Sequence, residues 1–424
     1  MKTMILPGAL LGIIGGGLHS WLFAHAARRM GYRVALLSAE ADCPAAQIAN
    51  LAISAPREDV DAVADLARNV AAVVVDVEDL SAEAAEVAAR RAPLRPGLRV
   101  MPVARHRARE KRYLQQLGLP VAPFADIDSL ATLRGALTQL GLPAVLKVAQ
   151  RGSAARRQFT IQSPLQAAEA WKALGWQPSI LEPWLDIQQE LAVIVARSPC
   201  GDMVTYGPIL NTYRRGRCDS SRAPADLPKA VSERAIQLAR FLSGRLDVTG
   251  LLCVEMFLTG GGELLVNRLV PRAHDSGYLT LHAHATSQYE QLVRATCGLP
   301  LGSVEQLRPA ATVGLLGELW QDGEPDWAKA FKIPGTCLHL YAKRNPRPDE
   351  RMGHLGASAG DSRRALVRAS TAREVLRKPR STIWRPAAVS NGPRPASLAL
   401  PAAARADSAA VAGPRAAAPT RRIA

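Results

Sequence analysis

The stretch from Thr249 to Thr280 constrains the fold more than any other part of the chain. It reads TGLLCVEMFLTGGGELLVNRLVPRAHDSGYLT, with an apolar run, three glycines at 260–262 and a second apolar run. Two apolar runs separated by a glycine-rich turn are typical of a β-hairpin. One acid, Glu255, interrupts the first run, and carboxylates are seldom buried without a partner. The pattern predicts a hairpin in which Glu255 either pairs with a basic group or lies at the mouth of a cleft that holds a cation or substrate.

A polar loop follows the second run of this hairpin. The run ends in Asn267 and Arg268, and the loop at 271–277 carries Arg272 and His274. Guanidinium groups bind anions, and histidine exchanges protons near neutral pH. Loops held by rigid strands are frequent sites of binding and catalysis. We therefore expect an anion-binding site at this end of the hairpin.

The hairpin, its loop and the segment ATSQYEQLVRATCGLPLG at 285–302 resemble the ATP-grasp carboxylases of purine synthesis, the 5-(carboxyamino)imidazole ribonucleotide synthetases. The resemblance extends, with varying quality, over residues 5–360. It implies an α/β fold, in which a Rossmann-like first domain is followed by a two-lobed ATP-grasp domain and a small β-rich C-terminal domain, and it implies a homodimer. The expected domain ranges are 1–98, 99–300 and 301–370.

The resemblance also implies a reaction and its site. Enzymes of this family use ATP and bicarbonate to carboxylate 5-aminoimidazole ribonucleotide through carboxyphosphate, and Mg²⁺ bridges the β- and γ-phosphates of the ATP. Carried onto this sequence, the family motifs assign ATP to Lys111, Lys147, Glu182, Glu190 and Asn267, the ribonucleotide to Gly16, Gly17, Asp76, Lys343 and Arg347, the carboxyphosphate to Arg272 and His274, and Mg²⁺ to Glu255.

Three segments depart from the family pattern. The second carboxylate ligand of Mg²⁺ falls on Arg268, and two unit charges 4 Å apart repel by about 4 kcal/mol at an effective dielectric constant near 20. The glycine-rich lid of the family is RGSAARRQ at 151–158, and Asp349-Glu350 stand where the family has an arginine. Two hypotheses follow: a working carboxylase, or a catalytically degenerate paralogue that keeps the fold and nucleotide binding without turnover.

The start of the chain predicts a strand, a glycine turn at 15–17, a helix and a second strand. Such a turn also occurs in dinucleotide-binding folds, but Ser20 stands where their third glycine would be, so an NAD oxidoreductase has weak support. In the carboxylase family this turn helps to hold the phosphate of the ribonucleotide. Backbone N–H groups at a helix start suit that role.

Composition narrows the class of protein further. The net charge is +16, and residues 377–424 supply half of it, with nine lysines and arginines against one acid. This alanine- and proline-rich end has no apolar period, so we expect a disordered tail over 371–424.

We find no sequence-reading module for nucleic acid and no apolar run of about 20 residues that would span a membrane. The six cysteines are scattered, which favours reduced thiols and a cytoplasmic location.

Overall fold

The computed structural model describes residues 4–152, 158–214, 216–341, 343 and 346–377. Two of our expectations concern residues outside this description: the altered lid at 153–157 and the tail from residue 378 onward. No helix in the described part of the chain combines the length and apolarity needed to cross a membrane.

The first unit is a parallel sheet covered by helices. Its elements are β1 (Leu10–Ile14), α1 (Leu18–Arg29), β2 (Arg33–Ser38), β3 (Leu51–Ser54), α2 (Val60–Arg68), β4 (Ala72–Val75), α3 (Ala82–Ala89) and β5 (Leu94–Arg95). The strand order is β3-β2-β1-β4-β5, with all pairs parallel. In such sheets ligands bind beyond the carboxyl ends of the strands where the order reverses, which here is between β1 and β4. The glycine turn and Asp76 follow these two ends.

Two short helices, α4 (Met101–Ala104) and α5 (Arg107–Gln116), lead into a small lobe. The lobe comprises β6 (Ala125–Ile127), α6 (Leu130–Leu140), β7 (Ala144–Val148), β8 (Gln158–Ile161), α7 (Ala167–Ala173) and β9 (Ser179–Pro183). Its four strands form an antiparallel sheet in the order β6-β9-β7-β8. Ser129 and Thr132 form a capping box that begins α6.

The predicted hairpin lies at one edge of an eight-stranded sheet. The first elements of this sheet region are β10 (Ile187–Arg197), β11 (Met203–Arg214), β12 (Arg217–Ala223), α8 (Lys229–Arg245), β13 (Gly250–Thr259) and β14 (Leu264–Val270). The turn between β13 and β14 includes Gly262, whose φ of +82° favours glycine. The pairing shifts between Glu255 and Met256, and this β-bulge leaves Asn267 without a directly opposed residue in β13.

The C-terminal region extends the same sheet. It contains α9 (Thr280–Ala283), α10 (Gln288–Cys297), β15 (Ala310–Leu316), α11 (Trp327–Phe331), β16 (Thr336–Leu340), β17 (Arg351–Ser358) and α12 (Ser362–Glu374). The strand order β14-β13-β10-β11-β12-β15-β17-β16 joins the last three strands to the five earlier strands of the same sheet. Helix α12 also passes residue 370, so the expected start of the tail at 371 is wrong. Buried Ala372 and Leu376 explain this, because they pack against the sheet region.

One apolar core connects the first unit to the large sheet. Ile14, Val73 and Val75 belong to the same buried cluster as Val193 and Val254. These side chains come from β1, β4, β10 and β13, so the carboxyl ends of β1 and β4 are held close to the hairpin.

The small-lobe core gives a test of this packing. Leu146 is 0% exposed, and Leu146→Ala is expected to lower the free energy of unfolding by about 2–5 kcal/mol, because the truncation leaves a cavity. Leu165 of the same lobe is 93% exposed, so Leu165→Ala is expected to change it by about 0.5 kcal/mol or less. Denaturant unfolding followed by circular dichroism measures both. Equal effects of the two substitutions would contradict the packing described.

Candidate active site

Glu78 connects the first unit to the end of the hairpin. It lies three residues beyond β4, and both its carboxylate oxygens accept hydrogen bonds from Nη2 of Arg268 at 2.6 Å. Nη2 of Arg272 donates to the same carboxylate at 2.7 Å. Burial alone would raise the pKa of Glu78, but the charges of Arg268 and Arg272 outweigh burial and hold this pKa well below its ordinary value. Arg268 therefore faces Glu78 and forms its ion pair there.

Glu255 is buried on β13, directly opposite Arg268. Its Oε1 accepts from the Tyr213 hydroxyl at 2.8 Å and lies 2.9 Å from Nε2 of His274. Nδ1 of His274 contacts Oγ of Ser276 at 2.8 Å. Burial opposes ionisation of Glu255, yet the hydrogen bond to His274, the charge of Arg268 and the hydrogen bond from Tyr213 lower its pKa to about 2. The sequence left two alternatives for Glu255, a pairing with a basic group or a place at the mouth of a cleft. The structure shows its carboxylate with protein partners.

A second carboxylate, Glu190, lies on the same face of the sheet. Glu190 pairs with Phe257 across β10 and β13, so it is a diagonal neighbour of Glu255. Burial, followed by the negative charge of Glu255, raises the pKa of Glu190 to about 7. An acid that titrates near neutral pH therefore lies beside one that stays ionised.

Three of the residues assigned to ATP meet at the small lobe. Nζ of Lys111 lies 2.6 Å from Oε1 of Glu182, and Nζ of Lys147 lies 2.5 Å from Oε2. They come from α5, β7 and β9. Burial would raise the pKa of Glu182, but the two lysines lower it to about 2, whereas burial lowers the pKa of Lys147. The single charge of Glu182 is thus shared between buried Lys111 and partly buried Lys147.

Sequence reasoning missed a second buried ion pair nearby. Nη2 of Arg151 lies 2.5 Å from Oε2 of Glu110, whose Oε1 accepts from the Leu269 N–H at 2.6 Å. Burial and the charges of neighbouring arginines lower the pKa of Arg107 to about 9. The available signal was an isolated acid in the basic run at 104–113, because a lone carboxylate among cations favours ion pairing.

The glycine turn and Asp76 form the other side of the site. Oγ of Ser20 donates to Oδ2 of Asp76 at 2.6 Å, and a small cavity is lined by Asp76 and Arg272, among others. A Cβ at Gly16 would lie 2.5 Å from Sγ of Cys43, so the chain passes too closely for another residue. Gly17 caps α1 without a side-chain hydrogen bond, which suits an anion at that helix start.

Asp275 connects this region to the C-terminal strands. Its Oδ1 lies 3.1 Å from Nε2 of His19 and accepts from the Tyr278 hydroxyl at 2.9 Å, while Oδ2 lies 3.3 Å from Nη2 of Arg351. Burial would raise the pKa of Asp275, but Arg351 and His19 hold it well below its ordinary value. His19 and Arg351 were not singled out by sequence reasoning, because their common partner is distant in sequence.

Lys343 and Arg347 precede β17. Nζ of Lys343 lies 2.5 Å from Oε1 of Glu350, one of the two acids that stand where the family has an arginine. Arg347 is exposed. A ribonucleotide phosphate at Lys343 would therefore compete with Glu350 for the same ammonium group.

The hairpin residues do not fit the Mg²⁺ site that the resemblance implies. Mg²⁺ requires oxygen ligands in near-octahedral geometry. Glu255 already accepts from Tyr213 and contacts His274, and Arg268 stands opposite it as a permanent cation. Across the described ranges, no group of three or more His, Cys, Asp or Glu residues could hold a metal ion. We therefore derive no catalytic step from a metal at Glu255.

Comparisons with known proteins agree with this architecture. Family models match the ribonucleotide synthetase preATP-grasp domain at residues 9–105, the ATP-grasp domain at 112–289 and the phosphoribosylaminoimidazole carboxylase C-terminal domain at 310–368. The N5-carboxyaminoimidazole ribonucleotide synthase of Bacillus subtilis is 36% identical over 356 residues, which cover 84% of this chain and 92% of that protein. The chain belongs to this ATP-grasp family. The Brucella melitensis synthase is 34% identical over 359 residues, 84% of this chain and 97% of that one.

Solved structures of the family confirm the fold. An ADP complex of an N5-carboxyaminoimidazole ribonucleotide synthetase matches with a TM-score of 0.83 at 33% identity, covering 88% of this chain and 98% of that one. The Aspergillus clavatus synthase bound to ADP and 5-aminoimidazole ribonucleotide matches with a TM-score of 0.79 at 27% identity, covering 87% and 98%. The chain is an ATP-grasp ligase by family, and these matches support neither the NAD oxidoreductase nor the degenerate paralogue.

The buried Lys111–Glu182–Lys147 cluster predicts a large effect of one substitution. Glu182→Gln leaves two buried ammonium groups without their carboxylate and is expected to lower the free energy of unfolding by about 3–5 kcal/mol. The matched control is Glu233→Gln, which removes an exposed pair with Lys229 at 3.7 Å and should cost about 1 kcal/mol or less. Urea unfolding of both variants makes the comparison. A Glu182 variant as stable as the control would contradict the cluster.

The raised pKa of Glu190 predicts a pH dependence of stability. The folded protein holds a proton near pH 7 that the unfolded chain, with the ordinary value of 4.5, has released. The stabilisation is therefore complete below the unfolded pKa and is lost as pH rises through 7. Between about pH 5 and pH 8, the melting temperature of the unmodified protein should fall by a few degrees relative to Glu190→Gln. Parallel melting curves of the two proteins across this range would argue against the shift.

Proposed function

We propose that the chain uses ATP and bicarbonate to carboxylate 5-aminoimidazole ribonucleotide, giving N5-carboxyaminoimidazole ribonucleotide for purine biosynthesis. The observation that carries the proposal is the Glu78 ion pair with Arg268 and Arg272. It holds the hairpin and its loop against the segment that follows β4 of the first unit. The Bacillus subtilis and Brucella melitensis relatives are both named N5-carboxyaminoimidazole ribonucleotide synthase, which supports the same activity.

The proposed reaction proceeds in two steps, phosphorylation of bicarbonate and transfer of its carboxyl group to the amine. An oxygen of bicarbonate attacks the γ-phosphorus of ATP, the bond from that phosphorus to the bridging oxygen breaks, and ADP leaves with the electron pair. The ribonucleotide amine then attacks the carbon of carboxyphosphate, the bond from that carbon to the phosphate oxygen breaks, and inorganic phosphate leaves while the nitrogen loses a proton. Negative charge develops on oxygen in both steps, and fixed cations stabilise it.

We assign one group of the described side chains to ATP and another to the ribonucleotide and the intermediate. Lys111 and Lys147, which contact Glu182, are proposed to bind phosphates of ATP in exchange for that carboxylate, because an ammonium group is a compact and mobile phosphate ligand. Glu190 is proposed to accept hydroxyl groups of the nucleotide ribose. Asn267, at the bulge of β14, is proposed to contact the nucleotide on the side of the hairpin.

The second group of residues serves the ribonucleotide and the intermediate. We assign the ribonucleotide phosphate to the backbone at Gly16 and Gly17 and to Lys343 and Arg347, and its polar groups to Asp76. Support comes from the helix start at Gly17 and from Asp76, which follow the carboxyl ends of β1 and β4 where the strand order reverses.

Arg272 and His274 are the groups we propose for the carboxyphosphate. His274 is held between Glu255 and Ser276, so its position is fixed by both ring nitrogens. Arg272 donates to Glu78 through Nη2 and to the Ala273 carbonyl through Nη1, which fixes its guanidinium near the cavity.

An assay of phosphate release tests the activity. The purified chain with ATP and bicarbonate should release phosphate faster when 5-aminoimidazole ribonucleotide is added, and ¹³C-bicarbonate should label the ribonucleotide product, which NMR detects. Arg272→Gln is expected to lower kcat by about 10²–10³-fold, because one charge-stabilising donor is lost. Arg134→Gln, on the exposed face of α6, should leave kcat unchanged.

Two results would overturn the proposal. The first is phosphate release that does not respond to the ribonucleotide, and the second is an unlabelled product. Nucleotide binding without any stimulated release is the outcome expected of the degenerate paralogue.

A further inference from the structure

Arg268 is a cation fixed in position at the hairpin. Both oxygens of Glu78 accept from its Nη2, and it stands opposite Glu255 across the two strands. Its Nε is buried and has no hydrogen-bond partner among the described residues. This guanidinium therefore has one buried donor that lacks the acceptor buried donors normally have.

The charges around Arg268 favour an anion over a further cation. Three of the acids at the junction are already paired within the protein: Glu78 with two arginines, Glu110 with Arg151, and Glu182 with two lysines. Glu190 lies beside Glu255, and burial and that carboxylate raise its pKa. Burial and the charges of Arg151 and Arg268 lower the pKa of Arg107. The cations of the described site therefore repel one another, and a bound polyphosphate would relieve that repulsion. The network comprises Arg107, Lys111, Lys147, Arg151, Arg268 and Arg272 against Glu78, Glu110, Glu182 and Glu255.

Glu255 is a poor position for a dication in these surroundings. Its Oε1 is engaged by the Tyr213 hydroxyl and by His274. A dication held there would also lie across the hairpin from Arg268, which Glu78 prevents from turning away. Because Nη2 of Arg268 bonds both oxygens of Glu78, moving the guanidinium would leave a half-buried carboxylate with Arg272 alone.

We propose that this chain neutralises the phosphates of its nucleotide with side-chain cations, Arg268 foremost, and holds no divalent metal ion between Glu255 and β14. A guanidinium suits this role because its planar N–H groups match the geometry of phosphate oxygens. The inference rests on the proposed function only in that a nucleotide binds at this junction. It concerns how the phosphates are bound.

Calorimetry of nucleotide binding tests the inference on the full chain. The probe is adenylyl imidodiphosphate, a non-hydrolysable ATP analogue, titrated once with EDTA and once with MgCl₂. We expect Kd values within about twofold of each other, because the protein supplies no ligand set for the metal. A site that coordinates Mg²⁺ would lose about tenfold or more in affinity in EDTA, which corresponds to 1.4 kcal/mol.

Two variants separate the role of Arg268 from general effects of charge. Arg268→Gln is expected to weaken binding about tenfold in EDTA, and MgCl₂ should restore part of the loss because Glu255 then faces no cation. Arg134→Gln removes one charge from the exposed face of α6 in the small lobe and should leave Kd unchanged in both buffers. Circular dichroism confirms that each variant is folded.

The possible results distinguish a failure of this inference from a failure of the proposed function. A loss of about tenfold or more for the unmodified protein in EDTA overturns the inference and leaves the proposed function standing. No binding in either buffer removes the nucleotide step of the proposed function itself. An Arg268 variant that binds as tightly as the unmodified protein in EDTA removes Arg268 from the role. If that variant does not fold, the two titrations of the unmodified protein decide alone.

Discussion

The ion pair of Glu78 with Arg268 and Arg272 is the interaction on which the site depends. It joins a residue beyond β4 of the first unit to residues in and beyond β14 of the large sheet. A carboxylate held by two guanidinium groups is strongly bonded and directional, so it fixes both partners together. Without it, a half-buried acid and two arginines would lack their charge partners, which costs more than the pair contributes. The loop at 271–277, which carries His274, includes Arg272 and begins three residues after Arg268.

The ionisation of the other acids in the site also depends on their neighbouring charges. Glu78, Glu182 and Glu255 carry protein partners that outweigh burial and lower their pKa values. Glu182 and Glu255 stay ionised because cations or donors surround them, whereas Glu190 has Glu255 as its neighbour and titrates near pH 7. The site therefore combines many fixed cations with one acid that responds to physiological pH, which suits the binding of polyphosphate and ribose.

Several parts of the fold were predictable because they depend on local patterns. The apolar runs and glycine turn of the hairpin gave strands at Gly250–Thr259 and Leu264–Val270, and the opening strand-turn-helix pattern gave β1 and α1. The short strand Leu51–Ser54 was missed, since it is largely exposed and lacks an apolar run. The start of the tail was misplaced because the last helix extends past residue 370 and its alanines are buried by tertiary packing, which composition alone does not reveal.

The sequence by itself determined the family, the hairpin and the opening strand-turn-helix unit, because motifs and periodicity are local in the chain. Only the tertiary structure decided which charges meet. Arg268 lies 190 positions from Glu78, and Asp275 lies 256 positions from His19. Such pairs depend on how sheets pack, and the same packing sets burial and hence the pKa of Glu190. The partner of Arg268 is therefore a property of the fold, although its identity as a cation was already fixed in the chain.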